Sequence, residues 1–491
     1  MPQTSAHPAT SAIPISAAAR WRAFWVCVAV AAITIMDLTK VNVALPSIGE
    51  AFDAGSTELQ LIVSGFILTF GLVLVPMGRL GDQRSRRMLF VVGLSLYTAT
   101  SILCAVAPTA EVLLIGRLLQ GVAAGIQMPQ VLGMAQELFQ GKERGRAFGL
   151  FGATIGIATA FGPTLGGLLI AIGGPTDGWR LIFWINVPLC LIAIALVLWL
   201  LPDTRTRSQR KVQLDPVGLL LFAASVVALM WPFLFTTGAP TDNPARWWLL
   251  IAFALFVAGF IAWERRYAAQ GRSPLIPLKL FRIASYRNGT LLQTAYFTAA
   301  PALFLMTTLY LQTGLGLEPV FAGMISIGFA LASAVTSWIG GNLVGKFGRI
   351  VVVWGLIGML VCVGGLVLCA LFVPAAWTPY AMAAVMVVGG AGGGLVIAPN
   401  QTLTLADVPV KQGGVAGSVG QLGQRIGAAV GTAVALSLFY ATIYRETGTA
   451  TDEVIYHDAY AFGMLSVGIF LALALIVAVV DLTARKRGTE V

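Results

Sequence analysis

Charge is what this chain has least of. Only 11% of its 491 residues are Asp, Glu, Lys or Arg, against 57% hydrophobic. An ordinary soluble domain carries about a quarter charged residues, so a water-covered surface cannot be assembled from this composition. Histidine is nearly missing as well, with His7 and His457 alone, and no nucleophile has a base at a workable spacing. That leaves no candidate for catalysis and no expectation of an enzyme. Cys27, Cys104, Cys190, Cys362 and Cys369 fall in apolar stretches without paired spacing, so neither a disulfide framework nor a metal site is expected. The Gly-Lys pairs at 141–142 and 345–346 lack the Ser or Thr and the upstream glycine of a phosphate loop. Nucleotide hydrolysis is therefore removed as an energy source, and no other cofactor is implied.

What the chain has instead is a series of apolar runs of roughly twenty residues. The first eight lie near 22–45, 59–77, 88–107, 112–134, 146–172, 180–201, 214–235 and 246–263. Six more follow near 288–312, 319–343, 350–373, 378–403, 414–441 and 459–480. Each can cross a hydrocarbon core of about 30 Å as a helix, the open-chain geometry that satisfies its own backbone there. The expected fold class is all-α, a polytopic membrane protein with 14 transmembrane helices.

The loops between the runs alternate in charge. One side collects Arg20 and Arg22, then Arg79, Arg84, Arg86 and Arg87, then Lys142, Arg144 and Arg146, then Arg205, Arg207, Arg210 and Lys211. Further along, the same side holds Arg265, Arg266, Arg272, Lys279, Arg282 and Arg287, then Lys346, Arg349 and Lys411, and finally Arg485, Lys486 and Arg487. The other side offers Arg180, Arg246 and Arg445 beside Glu50, Asp53, Glu58, Asp177, Asp452, Glu453 and Asp458. Basic residues are retained in the cytoplasm during insertion, so both termini are expected there, in a multi-pass plasma or inner membrane. The net charge of +10 resides in loops that face anionic lipid and needs no nucleic-acid partner.

A weak internal repeat divides the chain. Gly78, Leu80 and Arg86 recur at constant offset as Gly341, Leu343 and Arg349, each set in a short basic turn. The expected organisation is a disordered tail over 1–21 and a six-helix bundle over 22–201. Linkers and two extra transmembrane helices occupy 202–287, a pseudo-symmetric second six-helix bundle 288–480, and a tail 481–491. The stretch 264–287, with Pro274 and Pro277, has room for a short surface helix.

The turn Gly78-Arg79-Leu80-Gly81-Asp82-Gln83-Arg84-Ser85-Arg86-Arg87 resembles the signature between spans two and three of the major facilitator superfamily. Met36-Asp37, with Asn42, Ala44, Leu45 and Pro46, resembles the first-span signature of its fourteen-span drug:proton antiporter branch. Gly116-Arg117, with Gln120 and Gly121, resembles the fourth-span arginine motif, and Gly162-Pro163, with Gly166 and Gly167, the fifth-span antiporter motif. Trp179-Arg180, with Phe183, Asn186 and Pro188, completes the set. Gln83 and Ser85 stand where the family usually has a basic residue and a glycine, Ala158 replaces a common glycine, and Lys40 replaces an apolar residue. The resemblance implies gating roles for Gly78, Asp82, Arg86, Arg87, Gly162, Pro163, Gly166 and Gly167.

Ionisable side chains inside a membrane are costly and mark function by default. Four qualify: Asp37, Lys40, Arg117 and Arg425. At 1.5 Å per residue Asp37 lies about 22 Å in from the basic side, and Arg117 about 9 Å in from the other, matching depths at which the two can pair. The pair is either a proton relay or a structural lock between two helices. Lys40, at i+3 from Asp37, either joins that pair or reaches for the outer interface. Arg425 falls about 16 Å deep, near the midplane where carriers hold their cargo. With Asp37 the four leave two excess positive charges, which favours neutral, zwitterionic or anionic amphiphiles over polycations.

Gln293, Tyr296, Phe297, Tyr310, Asn400, Gln401 and Gln120 are expected beside Arg425 in the cargo pocket, with Phe66 and Phe70 on span two, since aromatic surface with a few amides suits bulky lipophiles. The same aromatics would serve equally in facing lipid. Glycines 149, 152, 156, 162, 166 and 167 in span five, and 413 to 431 in span thirteen, allow close helix approach, either as sliding seams or as ordinary small-residue packing. Asp82 is placed to cap a facing helix N-terminus in one state only. The expected function is proton-coupled export of lipophilic small molecules by alternating access, with a proton-coupled importer or a non-transporting sensor as rivals. Expected partners are the cargo, protons and the bilayer, with the chain acting as a monomer.

Overall fold

The computed structural model describes residues 16–54, 56–174, 177–202, 215–235, 243–447 and 451–488. Most of the expected N-terminal tail, the basic residues Arg205, Arg207, Arg210 and Lys211, and the last three residues lie outside them. Among the described residues every regular element is helical.

Among those residues fourteen helical stretches are long and apolar enough to cross a membrane. The first six spans are α1 (Ala17–Phe52), α2 (Ser56–Gln83), α3 (Arg86–Ala105), α4 (Ala110–Leu138), α5 (Gly141–Gly173), and α6 (Gly178–Trp184) joined to α7 (Asn186–Leu200). The extra pair is α8 (Pro216–Leu234) and α9 (Leu249–Ala269). The last six are α10 (Ala284–Leu309), α11 (Pro319–Phe347), α12 (Ile350–Phe372), α13 (Thr378–Thr404), α14 (Gly413–Glu446) and α15 (Asp452–Gly488). Some helices overrun the apolar stretches because polar residues outside the lipid core can still extend a helix; α1 gains at least a turn at each end this way. Between α9 and α10 the chain turns through a short 3-10 helix, Leu278–Arg282.

Burial gathers one core from α1 to α5, α7, the extra pair and the first half of α14, and another from α10 to α13, the second half of α14 and α15. Lipid-facing positions carry large apolar side chains, including Leu191, Leu220, Val361 and Ile476. Exposed aromatics collect near the helix ends, Trp199 at the Lys/Arg-rich face and Trp248, Trp377 and Tyr380 at the opposite one, as amphipathic rings do at membrane interfaces.

Two seams join the six-span bundles. Along one, α2 lies on α14; along the other, α5 lies on α11. The glycine-rich spans five and thirteen therefore belong to different seams. Backbones nearly touch in both: a Cβ on Gly145 would come 2.6 Å from the Gly341 carbonyl oxygen, and one on Gly78 would come 2.8 Å from that of Gly414. Helix α8 lies over the α2/α14 seam, with the Leu234 carbonyl accepting from Gln60 Nε2 at 2.5 Å and Met230 beside Gly71. Its N-terminus is capped by Asp215, which accepts Gly218 N–H and the Trp263 indole N–H of α9. Glu264 is fully buried and accepts the N–H groups of Leu275 and Ile276, fixing the connector that follows.

Candidate functional site

Three groups of polar side chains interrupt the apolar interior. The first surrounds Asp37 on α1. Its carboxylate is sealed from solvent and accepts from Arg117 Nη1 of α4 at 2.8 Å and from Asn186 Nδ2 of α7 at 2.8 Å. The Asn186 amide turns its oxygen to Lys40 Nζ at 2.6 Å, and Lys40 itself stands 3.3 Å from Asp37. Lys40 thus joins the acid instead of reaching the membrane surface. Arg117 also donates to Gln120 Oε1 at 2.7 Å, and Gln120 donates to Ser101 at 2.9 Å. Gln120 is therefore bonded into the Asp37–Arg117 cluster, apart from the cleft that Gln293 and Tyr296 line. The guanidinium rests on the Phe66 ring at 4.2 Å.

One acid facing two cations is held by four elements at once, which suits a buried ion cluster: such charges persist only when paired and hydrogen-bonded. Gly162 and Gly166 let α5 come up against this part of α1, where added carbons would meet Thr39 and the Lys40 backbone. Gly167 has nothing within 4 Å, and Pro163 lies between them inside the helix.

The second group closes the Lys/Arg-rich face. Helix α14 starts at Gly413 with no side-chain cap of its own, leaving N–H groups that need acceptors. Asp82, from the other bundle, supplies them: Oδ1 accepts Gly414 N–H and Oδ2 accepts Val415 N–H, both at 2.9 Å. Arg86 steadies the carboxylate at 2.6 Å and reaches Glu137 at 3.4 Å. Nearby, Gln136 and Arg144 both donate to the Leu405 carbonyl, at 3.1 and 3.3 Å. Among the described residues these four bonds are the ones that cross between the six-span bundles, and all lie at this face. Arg87 lies apart, donating to the Leu198 carbonyl of α7.

A carboxylate on a helix N-terminus contributes about 1–2 kcal/mol in partly buried geometry. Asp82→Asn is therefore expected to shift the population away from this closed face by roughly five- to thirtyfold. Thiol labelling of a Ser418→Cys variant, buried against Gly78, should accelerate accordingly. An unchanged labelling rate would remove the cap from the gate.

The third group lies in the second bundle. Gln293, Tyr296, Phe297, Val396, Ile397, Asn400, Gln401 and Gln424 line a narrow cleft of about 10 Å³, room for a single water. Arg425 follows Gln424 on α14, its guanidinium 4.7 Å from the Phe70 ring of α2. Asn400 is held on its other side by Arg349 and the Gly289 carbonyl. Tyr310 lies elsewhere, in a single turn of π-helix after α10, stacked on Tyr460 at 4.7 Å and beside His457. It is packed into the bundle and does not line the cleft. The bridging role of Asn186 and the cleft position of Gln424 were not assigned from sequence, although Asn186 is conspicuous as an amide inside an apolar run.

The sequence model of the Major Facilitator Superfamily matches residues 27–432. Over 453 residues the chain is 32% identical to a Streptomyces coelicolor protein named as a probable actinorhodin transporter, covering 90% of this chain and 76% of that one. A second S. coelicolor protein, named as a methylenomycin A resistance protein, is 29% identical over 440 residues and 88% of each chain. Among solved structures, the proton:xylose symporter XylE matches with a TM-score of 0.64 at 14% identity, over 94% of this chain and 95% of that one, a likeness of fold.

Proposed function

The chain belongs to the Major Facilitator Superfamily, and from that premise we propose that it exports lipophilic small molecules in exchange for protons, by alternating access. It is a membrane transporter and not an enzyme. The observation that carries the coupling is Asp37: a carboxyl sealed inside span one, shared between Arg117 and the Asn186–Lys40 bridge. Protonation neutralises the one acid in that cluster and frees both cations, so the two protonation states favour different helix arrangements.

The Lys/Arg-rich face is the cytoplasmic one in this reading, and both termini lie there. The structure then corresponds to the state closed to the cytoplasm, held by Asp82 on α14. A proton taken up from outside onto Asp37 weakens the Arg117 and Lys40 contacts and favours reopening inward. Release of that proton to the cytoplasm accompanies cargo loading, and the loaded carrier returns outward. Export is favoured over import by the relatives, one named as a probable actinorhodin transporter and another as a methylenomycin A resistance protein.

Proton flux decides it. Proteoliposomes holding a pH gradient, read by an internal pH dye, are expected to lose that gradient faster when an aromatic antibiotic is added, with cargo moving against proton flow. Co-directional movement would make the protein an importer. No proton movement and no resistance across a broad panel of antibiotics, dyes and biocides would end the transport-coupling reading.

A further inference from the structure

We propose that Arg425 is an anion-holding subsite, and that the cargo is an aromatic acid: a flat apolar body bearing a carboxylate or an acidic phenol. The assignment rests on the exporter reading above and narrows its cargo. The arginines buried among the described residues are matched, whereas Arg425 is half-buried. Arg117 holds Asp37 at 2.8 Å, Arg86 holds Asp82 at 2.6 Å, Arg349 holds Asp481 at 2.6 Å, and Arg144 binds two backbone carbonyls. Arg425 has neither kind of partner. Its Nε is buried without an acceptor, no described carboxylate is paired with it, and its contact is the face of Phe70.

Stacking on a ring steadies a guanidinium while leaving its N–H edge free, and that edge fits a carboxylate or a similar pair of oxygens. Its depth, about 18 Å along α14 from Gly413, places it in the hydrocarbon core, where an unmatched charge is costly. The preceding residue, Gln424, lines the cleft with Tyr296, Phe297 and Gln293, so the apolar body of a bound acid has aromatic surface within reach. A cationic cargo has no counterpart. Asp37, the one acid of the neighbouring cluster, is already engaged by Arg117, Asn186 and Lys40. Phe70 packs edge-on against Phe66 at 5.9 Å, and Phe66 lies under Arg117, so two rings on α2 connect the subsite to the Asp37 cluster.

The test compares an anthraquinone carboxylic acid with its neutral carboxamide, binding read by fluorescence anisotropy to protein in phosphatidylcholine nanodiscs. Wild type is expected to bind the acid at least tenfold tighter than the amide. Arg425→Gln should erase that preference by weakening the acid alone, and Arg425→Lys should keep part of it. Because the substitution removes an unmatched charge at membrane depth, Arg425→Gln should also unfold at an equal or higher temperature than wild type, which separates lost recognition from lost structure. Equal binding of acid and amide by wild type, or an acid preference that survives Arg425→Gln, would overturn the assignment. So would loss of acid binding when phosphatidylglycerol is added to the discs, since a lipid headgroup would then be the occupant. These binding readouts need no proton flux, so acid selectivity without coupling would count against the exporter reading and leave the subsite standing.

Discussion

Asp37→Asn is expected to abolish gradient-driven efflux while leaving cargo exchange intact. The carboxamide is nearly isosteric and can still meet Asn186 and Arg117, but it neither takes up nor releases a proton. Drug resistance in cells should fall to the level of empty vector, and pH-driven flux in proteoliposomes should drop by about two orders of magnitude, the loss expected when a positioned proton-transfer group is removed. Counterflow of labelled against unlabelled cargo, which runs without net proton movement, should persist. One complication is built into the site: removing the acid leaves Arg117 and Lys40 buried beside each other, at a cost of roughly 3–5 kcal/mol. The double variant Asp37→Asn/Lys40→Gln should recover thermal stability and still lack coupled flux. Coupled efflux at wild-type rates in Asp37→Asn would show that the proton travels by another route, and loss of counterflow as well would reduce the cluster to a structural lock.

Gly341→Leu should be the most damaging change remote from any charge. A Cβ there would stand 2.5 Å from the Gly145 carbonyl oxygen and 2.8 Å from the Gly149 Cα, well inside contact distance, before the rest of the leucine is added. The obstacle is backbone, which cannot swing aside. The α5/α11 seam then cannot close as it does here, and the cycle stops with that face open, so net transport should fall more than tenfold while the protein still inserts and binds cargo. Gly167→Leu is the control. It belongs to the fifth-span motif, yet nothing lies within 4 Å of its Cβ position, and near-normal transport is expected. Equal damage from both would tie the fifth-span motif to something other than close packing, and an active Gly341→Leu would show that the seam never needs to close this far.

Hydropathy and loop charge were enough to read the spans, because burial in lipid constrains every residue of a crossing helix. The depth of single charges was also legible: Asp37 and Arg117 sit at matching levels because rise per residue is fixed, and they are bonded. Lys40 could not be decided, since its four-carbon stem reaches either the acid or the interface, and only the placement of Asn186 on α7 settles which. Which helices share a seam was illegible for a related reason. A run of glycines says that something comes close without saying what, and the pairing of α5 with α11 and of α2 with α14 depends on the rotation of each helix in its bundle. Tyr310 lies outside the cleft because it follows Tyr296 by fourteen residues, about 21 Å along the helix axis, toward the opposite membrane face, where it stacks on Tyr460.

The unmatched cation on α14 has an electrical consequence. In the proposed orientation, an acid leaving the cell as its anion and a proton entering both carry positive charge inward, so a one-for-one exchange moves two charges per cycle. At a membrane voltage of about 100 mV that contributes roughly 4.6 kcal/mol, beyond anything supplied by the pH difference. A carrier built around Arg425 would therefore keep pumping in cells whose internal and external pH are equal, and would slow when an ionophore collapses the voltage.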